Sequence, residues 1–177
     1  MLDMLHHVLC VLQASERFEH IAVVSSDTRV LERAQEWGAE AQVEERAGHN
    51  PALTAAAARE RTRGTGALLT ISADLPLLQV HDILGMIDRL RYVDVVLAPS
   101  QEGTGTNAVF VRPPLVVPYV FGPGSLQRFR LEAEGRTLRS TFHTSIGLAL
   151  DIDTIDDIDI LHSYESSQAR EYIAHCS

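Results

Sequence analysis

Cysteine is scarce in this sequence of 177 residues, which contains only Cys10 and Cys176, near opposite ends of the chain. The two form no Cys-x-x-Cys pair, and this usage is typical of reduced thiols, so we expect a cytoplasmic protein. The eight histidines show no His-Glu-x-x-His or similar spacing. A metal site built on a histidine pair is therefore not indicated.

Positive charge and long apolar runs are also lacking. The 15 basic residues are outnumbered by 24 acidic ones, which gives a net charge of −9. A nucleic-acid backbone is therefore not an expected partner, although a small anionic ligand could bind if a local site or a metal neutralised it. No apolar run reaches the length of a membrane span, and no basic region precedes an apolar stretch at the start. We expect no membrane association and no signal peptide.

What is present is an alternation of strand and helix patterns along a chain of single-domain length. With 45% apolar residues the chain can bury a proper core. The alternation predicts an α/β fold, a three-layer sandwich with a mostly parallel sheet. Helices are predicted at 1–14, 28–37, 51–62, 79–91, 125–134 and from 155 onward. Strands are predicted at 21–25, 39–44, 67–71, 93–99, 108–111, 138–142 and 147–152.

The central segment runs from Ala67 to Leu78 and contains a buried strand followed by an aspartate. The apolar run at 67–71 is typical of a parallel strand, and Pro76 cannot continue the ladder, so the strand ends near Asp74. Ligands of open α/β sheets bind at the carboxyl ends of strands. Asp74 is therefore either a ligand of a cation or polar substrate, or the N-cap of the following helix.

A second acidic feature is Asp151-Ile152-Asp153, at the end of the predicted strand 147–152. Residues i and i+2 of a strand share a face, so both carboxylates can point to one place, where a cation would relieve their repulsion. With Asp74 they could hold Mg²⁺, which prefers a few carboxylates together with waters and phosphate. Alternatively, residues 151–157 are a solvated acidic helix start, favoured by the helix dipole.

Two glycine-containing loops with hydroxyl groups, at 103–107 and 122–125, form the third feature. Glycine allows close approach of the backbone to a ligand, and successive N–H groups can bind an anion. Ser125 lies at a predicted helix N-terminus, where phosphate binds well. Carboxylates suited to bind a cation and loops suited to bind an anion together predict a metal–phosphate site, as in phosphoryl or nucleotidyl transfer.

Four ordered motifs carry a family resemblance. They are Ser72-Ala-Asp-Leu-Pro-Leu-Leu78, Gly105-Thr-Asn-Ala108, Phe121-Gly-Pro-Gly-Ser125 and Leu150-Asp-Ile-Asp-Thr154. Over roughly residues 1–160 the chain resembles the 2-phospho-L-lactate guanylyltransferase family, which includes the phosphoenolpyruvate guanylyltransferases of coenzyme F420 biosynthesis. The resemblance implies one nucleotidyltransferase domain over 1–177, with a Rossmann-like, GT-A-type fold and a mixed sheet.

The resemblance also implies roles for individual residues. The positions that match metal-binding, catalytic aspartates are Asp74, Asp151 and Asp153. The positions that match the substrate-binding site near the phosphorylated acid are Thr106, Asn107, Gly122 and Ser125. The implied reaction is attack by the acid's phosphate on the α-phosphorus of GTP, with Mg²⁺ as cofactor and pyrophosphate as product.

Two departures from the family pattern concern the nucleotide. The segment 45–54 lacks the usual glycine-rich run, although Asn50 keeps its place as a nucleotide-binding position. Family members begin with a strand and a basic loop that grips the triphosphate, whereas this chain begins in the helix that follows. The missing strand lies in the middle of the sheet in this fold, so we expect open edges at 21–25 and 67–72. Strand rearrangement, a partner chain such as a second copy in a homodimer, or an absent N-terminal segment would close them.

Two other functions stay open at this point. One is a non-catalytic relative that binds a nucleotide or a phosphorylated acid, or that supports a partner enzyme. The other is a transferase of the same fold that uses CTP or a sugar phosphate.

Overall fold

The computed structural model describes residues 2–44 and 48–151. The helices are α1 (Leu2–Ala14), α2 (Thr28–Glu36), α3 (His49–Thr62), α4 (Val80–Leu90), α5 (Ser125–Gly135) and α6 (Ile146–Ala149). The strands are β1 (Ala22–Ser25), β2 (Glu40–Val43), β3 (Leu68–Ile71), β4 (Val95–Pro99), β5 (Thr106–Val111) and β6 (Ser140–Phe142). Among these helices, none combines the length and the apolar character that a bilayer crossing requires.

The strands form two sheets. Strands β1 and β2 pair in parallel, and a separate four-stranded sheet has the order β3-β5-β4-β6. Strand β5 runs antiparallel to β3 and to β4, whereas β4 and β6 are parallel. Three strands of the larger sheet therefore point the same way, and their carboxyl ends meet at one edge together with the start of β5. The predicted α/β fold with a mixed sheet is confirmed.

Helices cover both faces of the larger sheet. Successive residues of a strand point to opposite faces, and β4 shows this directly: Val96 and Ala98 pack with α1 and α4, whereas Val95 and Leu97 pack with α3 and α5. All four side chains are completely buried. The predicted three-layer arrangement is therefore present, with an apolar core on each side of β4 and β5.

Two strand edges are open in the described part of the chain. Strand β1 pairs there only with β2, and β3 pairs only with β5. Every residue of β1 and β3 is half-buried, whereas every residue of β5 is buried. The open edges expected at 21–25 and 67–72 are thus observed.

Salt bridges connect the end of α3 to the two-stranded sheet. The guanidinium of Arg63 donates to Glu40 and to Glu60, each at 2.9 Å, and Glu60 is 6% exposed. The hydrogen bond from Arg63 holds the pKa of Glu40 below its ordinary value. Helix α3 thereby keeps a fixed position relative to β1 and β2, and its first turn is directed towards the loops of the larger sheet.

The strand predicted at 147–152 is wrong over its described residues, 147–151. Residues 146–149 form the short helix α6, and Ser145 caps it by accepting a hydrogen bond from the Leu148 N–H at 3.3 Å. The run from Gly147 to Leu150 is fully buried. A short buried apolar run is compatible with either a strand or a helix, and here the serine cap and packing against α4 select the helix.

Helix α6 packs tightly against the start of α4, which yields a test. A Cβ atom placed on Gly147 would lie 2.2 Å from Asp82 Oδ2 and 2.7 Å from the Leu77 carbonyl oxygen. We expect Gly147→Ala to lower the free energy of unfolding by about 1–3 kcal/mol, the usual cost of overpacking. Urea denaturation followed by circular dichroism measures this.

Gly135→Ala is the matched control, because a Cβ atom there meets nothing within 4 Å at the end of α5. It should leave stability unchanged or raise it by up to about 1 kcal/mol through helix propensity. Equal effects of the two substitutions would contradict the described packing of α6.

Candidate active site

Asp74 lies just beyond the end of β3, at the carboxyl edge of the larger sheet. The strand ends at Ile71, and the Ser72 N–H still donates to the Asn107 carbonyl at 2.8 Å. The side chain of Asp74 is half-buried, and its Oδ1 atom is fully buried. Helix α4 begins only at Val80 and has Gln79 as its N-cap. The alternative that Asp74 caps this helix is therefore excluded.

Asn107 lies in β5, directly beside that strand end, and its side chain faces α6. The side chain is buried, and its Nδ2 donates to the carbonyl oxygens of Leu148 at 3.1 Å and Ala149 at 3.0 Å. Both donors of the amide are thereby used within the protein. A contact of Asn107 with substrate, implied by the resemblance, stays a prediction, and only Oδ1 is left for it.

Asp151 follows α6 after one intervening residue, Leu150, which has an extended backbone. It is half-buried. The described residues 147–151 contain no strand, and the prediction that Asp151 and Asp153 point to one place stays a prediction. Asp153 lies outside the described residues, as does most of the acidic stretch 151–157.

The two aspartates are brought to the same edge by one residue. Ser72, two positions before Asp74, and Ala149, two positions before Asp151, are both hydrogen-bonded to Asn107. Carboxylate oxygens are ligands that a hard cation such as Mg²⁺ accepts, and it usually keeps waters and substrate phosphate oxygens as further ligands. The described donor set therefore fits Mg²⁺. Across residues 2–44 and 48–151, no group of three or more histidine, cysteine or acidic side chains is arranged for a metal.

The hydroxyl groups of Thr106 and Ser125 meet in a buried contact next to Asn107. Ser125 Oγ donates to Thr106 Oγ1 at 3.1 Å, and the two residues are 1% and 7% exposed, respectively. Ser125 is the first residue of α5, as predicted, and its N–H donates to the Gly122 carbonyl at 2.9 Å. Gly122 has φ of 111°, a conformation that side chains other than glycine rarely adopt. The structure thus brings Thr106, Gly122 and Ser125 together.

The two glycine loops are adjacent and border an opening. The Leu126 N–H donates to the Thr104 carbonyl at 3.1 Å, which joins the loop before β5 to the start of α5. The opening has a volume of about 360 Å³ and is lined by Gly103, Thr104, Gly124, Leu126, Gln127, Arg130 and Phe142. Arg130 supplies a cationic group there, held by Glu134 at 3.0 Å. The opening thus lies between the two glycine loops, whereas Thr106 and Ser125 are not among its lining residues.

Asn50 also uses its side-chain amide within the protein. The sequence Asn50-Pro51 is typical of a helix N-cap followed by a proline in the first turn, but the N-cap of α3 is Gly48 and Asn50 lies within the first turn. Its Nδ2 donates to the Phe121 carbonyl at 3.1 Å, and the Phe121 N–H donates to its Oδ1 at 2.8 Å. Asn50 thus fixes the loop that carries Gly122. Its contact with a nucleotide stays a prediction.

Arg128 is a site residue that the sequence analysis missed. Its guanidinium donates to the carbonyl oxygens of Val120 at 2.8 Å and Phe121 at 3.1 Å. The signal that could have found it is its place one turn into α5, close behind the glycine loop. Asn50 and Arg128 both donate to the Phe121 carbonyl oxygen. These two hydrogen bonds fix the backbone of the residue that precedes Gly122.

His143 lies between β6 and α6 and packs on α4. Its ring lies against Gly85, and its Nδ1 accepts a hydrogen bond from Arg89 Nε at 2.9 Å. Burial lowers the pKa of His143 from its ordinary value, and the nearby Arg89 lowers it further, against an opposing effect of the Asp82 carboxylate. The folded state therefore favours a neutral imidazole at this position.

The same fold is found in solved structures of other proteins. A solved structure from Desulfovibrio desulfuricans, described as a nucleotide-diphospho-sugar transferase, superposes with a TM-score of 0.72. The match covers 89% of this chain and 72% of the other, at 18% sequence identity. At this identity the likeness concerns the fold alone, an α/β fold with a mixed sheet.

Sequence comparison shows the family. The family described as "Guanylyl transferase CofC like" matches residues 1–176, so this chain belongs to it. A phosphoenolpyruvate guanylyltransferase of Sphaerobacter thermophilus is 36% identical over 160 residues, which are 90% of this chain and 77% of the relative. A 2-phospho-L-lactate guanylyltransferase of Methanothermobacter thermautotrophicus is 34% identical over 161 residues, 88% of this chain and 69% of the relative. The resemblance drawn from the four motifs is confirmed.

The lowered pKa of His143 predicts a pH dependence of stability. Between that pKa and the ordinary value of about 6.5, the unfolded chain binds a proton that the folded chain does not. The contribution of His143 to the free energy of unfolding is therefore complete above about pH 6.5 and declines as the pH falls below it. Urea titrations of wild type and His143→Gln between about pH 7.5 and 5.5 should show wild type losing its advantage in acid. A stability difference that is constant with pH, or larger in acid, would refute this assignment.

Proposed function

We propose that this protein is a Mg²⁺-dependent guanylyltransferase of coenzyme F420 biosynthesis, located in the cytoplasm. It joins GMP from GTP to a small phosphorylated acid, 2-phospholactate or phosphoenolpyruvate, and releases pyrophosphate. The observation that carries this proposal is the arrangement around Asn107. The segments leading to Asp74 and Asp151 are joined there, beside the Thr106–Ser125 pair, in a chain of this family. Assembly as a homodimer stays a prediction.

The acid's phosphate is the group that the glycine loops and hydroxyls suit. Ser125 Oγ donates its hydrogen to Thr106 Oγ1, so the Thr106 hydroxyl keeps its own hydrogen for a phosphate oxygen, and the loop at Gly122 and the start of α5 lie beside this pair. Helix N-termini and such loops bind phosphate favourably. We assign these residues to holding and orienting the phosphorylated acid.

We assign the carboxylates to binding the metal ion that neutralises the charge of the phosphates. Asp74 and Asp151, with Asp153 as a further proposed ligand, are the residues that would hold Mg²⁺. When bound, this ion neutralises phosphate charge during transfer. An oxygen of the acid's phosphate attacks the α-phosphorus of GTP, one P–O bond forms, and the bond to the β-phosphate breaks. The products are a phosphoanhydride and pyrophosphate, and no protein nucleophile is needed.

Pyrophosphate release tests the reaction. With GTP, Mg²⁺ and either acid, we expect wild type to release pyrophosphate and Asp74→Asn to be slower by about 100-fold or more, as for loss of a transition-state charge contact. Asp88→Asn is the matched control, since Asp88 lies on the exposed side of α4, 3.8 Å from Arg91. No release with either acid, or equal rates for wild type and Asp74→Asn, would overturn the proposal.

Binding of the acid tests its proposed site without turnover. Titration calorimetry with phosphoenolpyruvate and with 2-phospholactate should show tighter binding to wild type than to Ser125→Ala. The expected ratio is about 10-fold or more, the size of one hydrogen bond to a charged group, because Thr106 Oγ1 loses the donor that orients its own hydroxyl towards the phosphate. Thr62→Ala, which removes an exposed hydroxyl at the far end of α3, is the control and should bind like wild type. Equal affinities of Ser125→Ala and wild type for both acids would exclude Ser125 from the site.

A further inference from the structure

We propose that Asn107 is a positioning residue, which sets the place of Asp151 relative to Asp74 through its hydrogen bonds. The effect of Asn107 on catalysis rests on the proposed function. Its effect on the positions of α6 and Asp151 can be tested separately, without turnover. This positioning role differs from the role in substrate binding that the family resemblance implies for this residue.

The first step is the place of Asn107 in the sheet. It lies in β5, between β3 and β4, and is 4% exposed. Its carbonyl oxygen accepts a hydrogen bond from the Ser72 N–H at 2.8 Å, which extends the β3–β5 pairing one residue beyond Ile71. The backbone of Asn107 therefore fixes the point at which the chain leaves the sheet towards Asp74.

The second step is the weakness of α6 as an independent element. Four residues give a helix few internal hydrogen bonds, and isolated helices of this length are not stable. The last carbonyl groups of a helix lack partners within it. Asn107 supplies partners for two of them, at Leu148 and Ala149, and the Gln101 N–H adds a second donor to Ala149 at 2.9 Å. The end of α6, from which Asp151 follows, is thus held from β5.

The third step is the number of hydrogen-bond donors that residue 107 must supply. The carbonyl oxygens of Leu148 and Ala149 each accept a hydrogen bond from this side chain, and an asparagine amide has the two donors that this requires. Leucine has a similar size and no donor, and serine has one donor on a shorter side chain. Both substitutions leave buried carbonyl oxygens with fewer donors, which favours movement of the segment towards water.

Amide hydrogen exchange tests the structural content. The Ala149 and Leu150 N–H groups donate to Ser145 and Ile146 carbonyls within α6. We expect Asn107→Leu and Asn107→Ser each to speed exchange at these two amides by about 10-fold or more, the effect of losing one hydrogen bond. Asn50→Leu is the matched control, because it removes another asparagine that holds backbone, and it should speed exchange at Phe121 but not at Ala149. Unchanged exchange at Ala149 and Leu150 in both Asn107 variants would overturn the proposal.

Binding of Mn²⁺ alone, followed by electron paramagnetic resonance, tests the consequence for the carboxylates. We expect the Mn²⁺ dissociation constant to rise by about 5-fold or more in both Asn107 variants, since a displaced Asp151 no longer shares the ion with Asp74. An unchanged dissociation constant, or the absence of Mn²⁺ binding to wild type, would overturn the positioning role. A weakened affinity for the phosphorylated acid with unchanged exchange and Mn²⁺ binding would instead assign Asn107 to the substrate. Failure of turnover with GTP and either acid would refute the proposed function and leave the exchange result standing.

Discussion

The hydrogen bonds of Asn107 are the constraint on which the arrangement of this site depends. They join three parts of the chain that lie far apart in sequence: the end of β3, the start of β5 and the end of α6. Neither Asp74 nor Asp151 belongs to a helix or a strand, so each takes its position from the element before it. The two side-chain donors and the backbone carbonyl oxygen of Asn107 are all engaged in the buried interior, which restricts the movement of both segments.

A second set of contacts organises the side where phosphate is proposed to bind. Asn50 and Arg128 both donate to the Phe121 carbonyl, and Ser125 joins Thr106 beneath the glycine loop. These contacts connect α3 and α5 with the loop between β5 and α5, and they join the start of α5 to the start of β5. The loops are therefore fixed before a ligand arrives, which reduces the conformational entropy that binding would cost. Helix α3 links this region to the smaller sheet, through Arg63 and its two glutamates.

Much of the fold and part of the candidate site can be predicted from local patterns in the sequence. The apolar run before Asp74 and the proline after it located the end of β3 to within a few residues, and Ser125 was correctly placed at the start of α5. A strand is predicted at 147–152 because a short buried run has no helical period, and the Ser145 cap and the packing on α4 distinguish the helix from a strand. The bonds of Asn107 and Asn50 span more than 40 residues each. No local pattern encodes such contacts, so the two side chains were predicted to face ligands.

Anomalous scattering from crystals grown with Mn²⁺ and phosphoenolpyruvate would test the central claim most directly. The account predicts one manganese ion at the carboxyl edge of the larger sheet, contacted by both Asp74 and Asp151, with Asn107 still bonded to the carbonyl groups of α6. Manganese bound by one of these carboxylates without the other, or the two carboxylates directed to separate surfaces, would contradict it.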